Sequence, residues 1–199
     1  MKKRYFIIVF LLLFTITGFA QIKNSININY GKFGFINSIL NSALNEYPAI
    51  SGNGIGLKIK KYGEDGIKST FYSVYSLRIF EYRAGGFWRA SADDYRIQGF
   101  LKMKQVAFTY SAILNLIPSF KVTPYIGIGI GVGVAVLNAE AYYRDKWKEH
   151  NDLYNYQTLI PIVKLPVGLS FRFNDEIEVE LEGGFENGFY ISWGISYNF

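Results

Sequence analysis

The chain has 199 residues, half of them hydrophobic and 18% aromatic, with no cysteine and a single histidine. Of its 21 Lys and Arg, three fall in the first twenty residues, so the remainder carries 18 basic against 16 acidic residues and is close to neutral. That balance excludes the dense positive surface that nucleic-acid binding needs, and the missing cysteines exclude a disulfide scaffold.

Met1 to Arg4 is a short basic start, and Phe6 to Phe14 is a continuous apolar run. Gly18 and Ala20 then place small residues before Gln21. This order of basic start, apolar core and small-residue exit predicts a secretory signal peptide over residues 1–20. The apolar run is shorter than the ~20 residues that a spanning helix needs. Cleavage after Ala20 leaves one domain, residues 21–199. No later apolar stretch is long and uniform enough for a transmembrane helix, so a membrane crossing must be made by strands.

The first strand is predicted over Ser25–Phe35, with Ile26, Ile28 and Tyr30 on one face. Gly31 is expected to mark a bulge, because the apolar parity changes at Phe33 and Phe35. In the following connection, Ile36, Ile39, Leu40, Ala43, Leu44 and Tyr47 recur at helical spacing before Pro48. Both a short helix and an irregular loop fit that segment. A second strand over Asn53–Lys61 turns Ile55, Leu57 and Ile59 outward and Gly56, Lys58 and Lys60 inward. A third over Ile67–Tyr82 puts Phe71, Tyr75, Leu77 and Ile79 outward and Arg78 inward. A fourth over Ile97–Leu116 aligns Val106, Phe108, Tyr110, Ala112 and Leu114 on one face.

The pattern then becomes strict. From Ile126 to Val136 every even position is Ile or Val, and the odd positions are Gly127, Gly129, Gly131, Gly133 and Ala135. One face is branched aliphatic and the other nearly bare, as in a narrow barrel with little interior room. A phosphate-binding loop is a poor reading of these glycines, since such a loop must leave a strand and open a helix. Val163–Phe173 turns Val163, Leu165, Val167, Leu169 and Phe171 outward, and Lys164 and Arg172 inward. After a turn at Asn174–Glu176, Ile177, Val179 and Leu181 alternate with Glu178, Glu180 and Glu182. The last strand carries Phe189, Ile191, Trp193, Ile195, Tyr197 and Phe199 on one face. The expected total is eight strands. Short turns fall at 62–66, 117–121 and 174–176, and longer connections at 36–52, 83–96 and 144–156. The tight turn at 186–188 is out of step with the longer set.

The ending resembles a known family. An aromatic last residue preceded by apolar residues at every second position is similar to the terminus of the small eight-stranded outer-membrane β-barrel proteins, the OmpX/OmpA/OmpW-like group. The resemblance implies an all-β, antiparallel up-and-down transmembrane barrel in the outer membrane, reached through the secretory pathway. It also implies that Trp193, Ile195, Tyr197 and Phe199 form the signal read by the barrel-insertion machinery.

Lys58, Lys60, Arg78, Lys164 and Arg172 face inward with Glu178, Glu180 and Glu182. They read as a salt-bridge network filling a narrow interior, in preference to an ion path or a catalytic carboxylate cluster, because unpaired buried charge is costly. His150 lies among loop acids without the partners that a metal site or a Ser–His–acid set requires. Asp93 and Asp94 read as a solvated turn. Tyr142, Phe185, Phe189, Tyr197 and Phe199 read as interfacial aromatic girdles. The expectation is a structural or surface-interaction protein, monomeric and without cofactor or enzyme activity, contacting outer-membrane lipid and lipopolysaccharide. The alternatives are a narrow channel for ions or small apolar molecules, kept open by space beside Gly127–Gly133, and a lipid-modifying enzyme.

Overall fold

The computed structural model describes residues 24–34, 44–46, 48, 50–90, 96–145 and 148–199. The predicted signal peptide, Phe35, most of the helical-spacing segment, Asp93 and Asp94 lie outside them. Among the described residues nine strands are present: β1 (Asn24–Gly34), β2 (Leu44–Glu46), β3 (Ser51–Tyr62), β4 (Phe71–Ala90), β5 (Arg96–Asn115), β6 (Val122–Asp145), β7 (Lys148–Arg172), β8 (Ile177–Glu186) and β9 (Phe189–Asn198).

Eight of these form a closed antiparallel ring, β1-β3-β4-β5-β6-β7-β8-β9 and back to β1. The seam pairs Ser25 with Asn198 through to Gly34 with Phe189. At its foot, Asn24 and Phe199 exchange both backbone hydrogen bonds at 2.8 Å. Closure is what lets strands lie in hydrocarbon, because no edge is left without hydrogen-bond partners.

Side chains alternate between two environments. β9 alternates residue by residue between exposed and buried along its whole length. Ile28 and Ile130, both on the outside, are each 68% exposed. An apolar outer wall of this extent is stable only against hydrocarbon. The shorter strands, β8 and β9, have 10 residues each. Ten residues at ~3.3 Å each and ~40° tilt span about 25 Å, the height of a barrel's apolar band. Lys32, Asn53, Glu81 and Lys104 end that band on one side.

Several expectations are corrected. β1 continues through Gly31 in register with Gly54, without a bulge. The parity change arises because Phe33 points into the barrel and is buried. The third ring strand starts at Phe71, not Ile67. Gly66 has φ 59°, and the 3-10 turn Gly66–Lys68 tucks Ile67 into the barrel end against the interior. The connections at 83–96 and 144–156 are mostly strand: β4 runs to Ala90, β6 to Asp145, and β7 begins at Lys148. Leu44–Glu46, within the segment of helical spacing, is strand β2 and pairs with Arg89 and Ala90 of β4. There the edge of β4 above β3 offers free backbone groups, and pairing satisfies them.

The barrel wall is therefore uneven. β4 and β5 have 20 residues each, and β6 and β7 have 24 and 25. These four strands rise as a sheet above the short wall of β1, β3, β8 and β9.

Candidate functional site: the barrel interior and the projecting sheet

The interior is built on β8. Its even positions Glu178, Glu180 and Glu182 turn inward, and small residues flank them: Ser196, Gly194 and Ser192 on β9, Ser170 and Gly168 on β7. The carboxylates can therefore reach across the lumen to β3 and β4. Lys58 sits 3.1 Å from Glu180 and 2.8 Å from Glu182. Lys60 pairs with Glu178 and Glu180. Arg78 reaches Glu182 at 2.8 Å and Glu186 at 2.5 Å. Lys164 lies 3.3 Å from Glu182. Arg172, largely buried near the 174–176 turn, is 3.9 Å from Glu178 and donates to Thr123 at 2.9 Å.

Glu182 is the hub. Besides three cations it accepts hydrogen bonds from the hydroxyls of Tyr125 at 3.0 Å and Tyr190 at 2.9 Å. The Arg78 guanidinium also lies 4.8 Å from the Tyr190 ring centroid, a cation–π contact strengthened by the burial of both groups. Five cations face four carboxylates, so the lumen carries little net charge.

Glu186 joins this set at Arg78, although the sequence reading places it in the turn at 186–188. Its even parity continues that of Glu178 to Glu182 and would have found it. Tyr125 and Tyr190 share the inward parity too, but a tyrosine fits either face of a membrane strand.

Apolar packing closes the lumen on both sides of the charges. On the side of the projecting sheet, Phe33, Phe80, Tyr82, Tyr190, Ala107 and Ile162 form one buried cluster. Toward the other end, Tyr62, Ile67, Tyr72, Val74, Ile113 and Tyr125 form a second. The glycine face of β6 leaves no open space, contrary to the basis of the channel expectation. A Cβ on Gly127 would stand 2.4 Å from Ile113 Cδ1, and one on Gly129 would stand 2.2 Å from Ser111 Oγ. Side chains of β5 already occupy what the glycines vacate.

Trp193, Ile195, Tyr197 and Phe199 lie together on the outer face of β9, each more than half exposed. His150 is placed on β7 opposite Tyr143. Among the described residues, no group of three or more His, Cys, Asp or Glu side chains is arranged to hold a metal ion.

A second polar set lies outside, where the apolar band meets the projecting sheet. Arg83 Nε donates to Glu81 at 2.6 Å, and Lys102 and Lys104 stand 3.5 and 3.9 Å from the same carboxyl. Three cations share one anion, which leaves positive charge at this border.

No protein-family model and no curated protein matches the chain. Solved structures do. The attachment invasion locus protein Ail of Yersinia pestis superposes with a TM-score of 0.50 at 16% identity, covering 90% of this chain and 99% of that one. Ail in complex with the heparin analogue sucrose octasulfate gives 0.51 at 14% identity, with the same coverage. Neisserial surface protein A gives 0.47 at 10% identity, covering 90% and 98%. The chain has the fold of the small eight-stranded outer-membrane β-barrels.

Proposed function

We propose that this protein is a sealed outer-membrane barrel that acts through its surface, exported by a cleaved signal peptide and standing singly within its own membrane. The observation that carries the reading is the contrast between a lumen filled by paired charges and a four-stranded sheet raised clear of the apolar band. A solute path would have to pass the Glu182 hub and both apolar clusters. The projecting sheet instead offers strand surface to whatever lies outside the cell. Short turns at one end and, apart from the tight β8–β9 turn, long hairpins at the other support an orientation with the termini in the periplasm and the sheet outside.

The partners follow from the same geometry. The outer wall contacts membrane lipid. The Arg83, Lys102 and Lys104 border stands at headgroup height, where lipopolysaccharide phosphates lie, and charge-assisted hydrogen bonds to phosphate suit it. A sulfated sugar bound to Ail is a related anionic ligand on a similar fold. Trp193, Ile195, Tyr197 and Phe199 serve as the insertion signal.

Planar-bilayer recording and labelling of intact cells test the reading together. The expected result is a silent bilayer, with Leu153→Cys labelled by a membrane-impermeant maleimide and Asp175→Cys protected. Steady unitary conductance, or the opposite labelling pattern, would overturn it.

A further inference from the structure

The sheet changes character as it rises above the apolar band. Within the band, apolar side chains point outward and charges inward. Above it the two faces exchange. Residues directly opposite each other in an antiparallel pair share one face. Glu81, Lys104, Val136 and Gln157 make one outward row across β4 to β7, and Arg83, Lys102, Asn138 and Asn155 make the next. Tyr82, Met103, Leu137 and Tyr156 make an inward row between them. Ala84, Leu101 and Ala139 continue that face upward, and Ile160 continues it downward on β7. The projecting sheet is therefore polar outside and apolar on the face turned over the barrel mouth.

An apolar sheet face needs something to pack against. Near β4 it has cover, since Tyr82 and Ala84 are buried in one cluster with Phe33 and Ile50. Toward β7 the cover thins. Leu137 is half-buried and Tyr156 is 62% exposed. Across the mouth, β8 and β9 stop at Glu186 and Phe189. Asn187 between them bonds β7 at Pro161 and Val163, short of Tyr156.

What adjoins the face indicates what covers it. On β1, β3, β4 and β5 the apolar band ends at Lys32, Asn53, Glu81 and Lys104. On β8 and β9 it runs to Phe185 and Phe189, whose rings meet edge to face at 6.0 Å. Glu186, the one charge in that turn, is buried against Arg78. On β7 the outward side chains continue as Val163, Pro161 and Leu159, the last 70% exposed, and residues 153–163 hold no charge. The lipid-facing wall thus passes over the β8–β9 turn and around β7 to the inner face without meeting an exposed charge. A hydrocarbon chain that takes this route stays on apolar surface, whereas one rising beside β4 or β5 must cross the cationic border.

We propose that the inner face at Met103, Leu137, Tyr156 and Ile160 seats an acyl chain of a lipid from the adjoining leaflet, drawn over the β8–β9 turn. The cluster of Phe33, Phe80 and Tyr190 closes the lumen beneath, so the chain lies above the seal. The proposal rests on the reading above that the sheet projects from a membrane.

The test uses the full-length mature chain in phosphatidylcholine vesicles, with a fraction of the lipid carrying a diazirine at the end of one acyl chain. In an ordinary bilayer position that end lies near the midplane, far from Tyr156. Expected after illumination are two sets of adducts, mapped by residue: one on the outer wall around Ile28 and Ile130, and one around Leu137 and Tyr156. Tyr156→Glu puts a charge on the inner face and should abolish the second set while leaving the first. Leu137→Asn on the same row should weaken the second set. Gln157→Glu puts the same charge on the outer face and should leave both. Heat-modifiable migration in gels checks that each variant folds. The proposal is overturned by adducts on the outer wall alone, or by a second set that Gln157→Glu removes as fully as Tyr156→Glu. Equal labelling of the inner face by photoreactive lipid confined to separate, protein-free vesicles overturns it too, since the chain would not come from the protein's own leaflet. A disulfide-linked dimer of Tyr156→Cys in place of lipid adducts would give the face to a second copy. Absence of both sets, with loss of the protein from vesicles in a carbonate wash, would instead sink the barrel reading itself.

Discussion

Glu182 bears more of the interior than any other side chain. It holds Lys58, Arg78 and Lys164, and two tyrosine hydroxyls point at it. Glu182→Gln leaves three buried cations short of a counter-charge, and breaking a buried pair from one side costs about 3–5 kcal/mol. Glu178 serves Lys60, which keeps Glu180, and Arg172, which stands 3.9 Å away and keeps Thr123. Glu178→Gln should therefore cost less, though still more in folding than in any change of conductance. Urea midpoints in lipid vesicles should rank wild type above Glu178→Gln and that above Glu182→Gln. The reverse order for the two variants would show that Glu182 is not the hub. A large conductance gain in Glu178→Gln at unchanged midpoint would refute a network whose role is to fill and seal.

At the scale of the element, the β8–β9 turn ties the short wall of the ring to β7. Asn187 has φ 52°, a left-handed conformation that costs most residues roughly 1–2 kcal/mol, and its amide caps β7 at Pro161 and Val163. Asn187→Ala loses both the conformational tolerance and the cap, whereas Asn187→Gly loses the cap alone. The alanine variant should show the lower urea midpoint; equal midpoints would mean that the backbone conformation is unstrained. Phe199→Ala retains the backbone pair with Asn24. If the terminal aromatic face is an insertion signal, that variant should assemble more slowly in cells while its assembled form keeps its midpoint. The strands that touch lipid were legible because hydrocarbon on one side enforces period two from Ile126 to Val136 and from Phe189 to Phe199. The upper halves of β6 and β7 were not legible. They stand clear of the bilayer, Asn138, Glu140, Asn155 and Gln157 interrupt the apolar parity, and nothing distinguishes such a strand from a polar loop. Lys58, Lys60, Arg78 and the three glutamates were found by parity alone. Their pairing across the lumen depends on ring closure, which no local pattern contains.

The whole molecule divides at the upper limit of its apolar band. Below it lie the closed ring, the ion pairs, one buried cluster and most of the other, and these hold the folded state in a membrane. Above it, β4 to β7 are held by ladder hydrogen bonds and each other's side chains. Arg83 pairs with Lys102, and Val136 with Gln157. Joining each pair through an Asn-Gly turn, which matches the twist of a two-residue hairpin, would remove the projecting sheet and leave the eight-stranded ring. Part of one buried cluster is lost, since Trp88 and Leu101 pack against it, so the midpoint should fall modestly. Insertion and heat-modifiable migration in gels should persist. Arg83, Lys102 and Lys104 are all retained, so surface binding to anionic glycans or lipopolysaccharide should persist, whereas contacts made by the raised sheet should vanish. A trimmed chain that no longer inserts would place folding information in the projecting sheet and overturn this division. The division is expected on physical grounds. A strand in hydrocarbon has no alternative partner for its backbone and must close, whereas a strand in water can stop, lengthen or stand free.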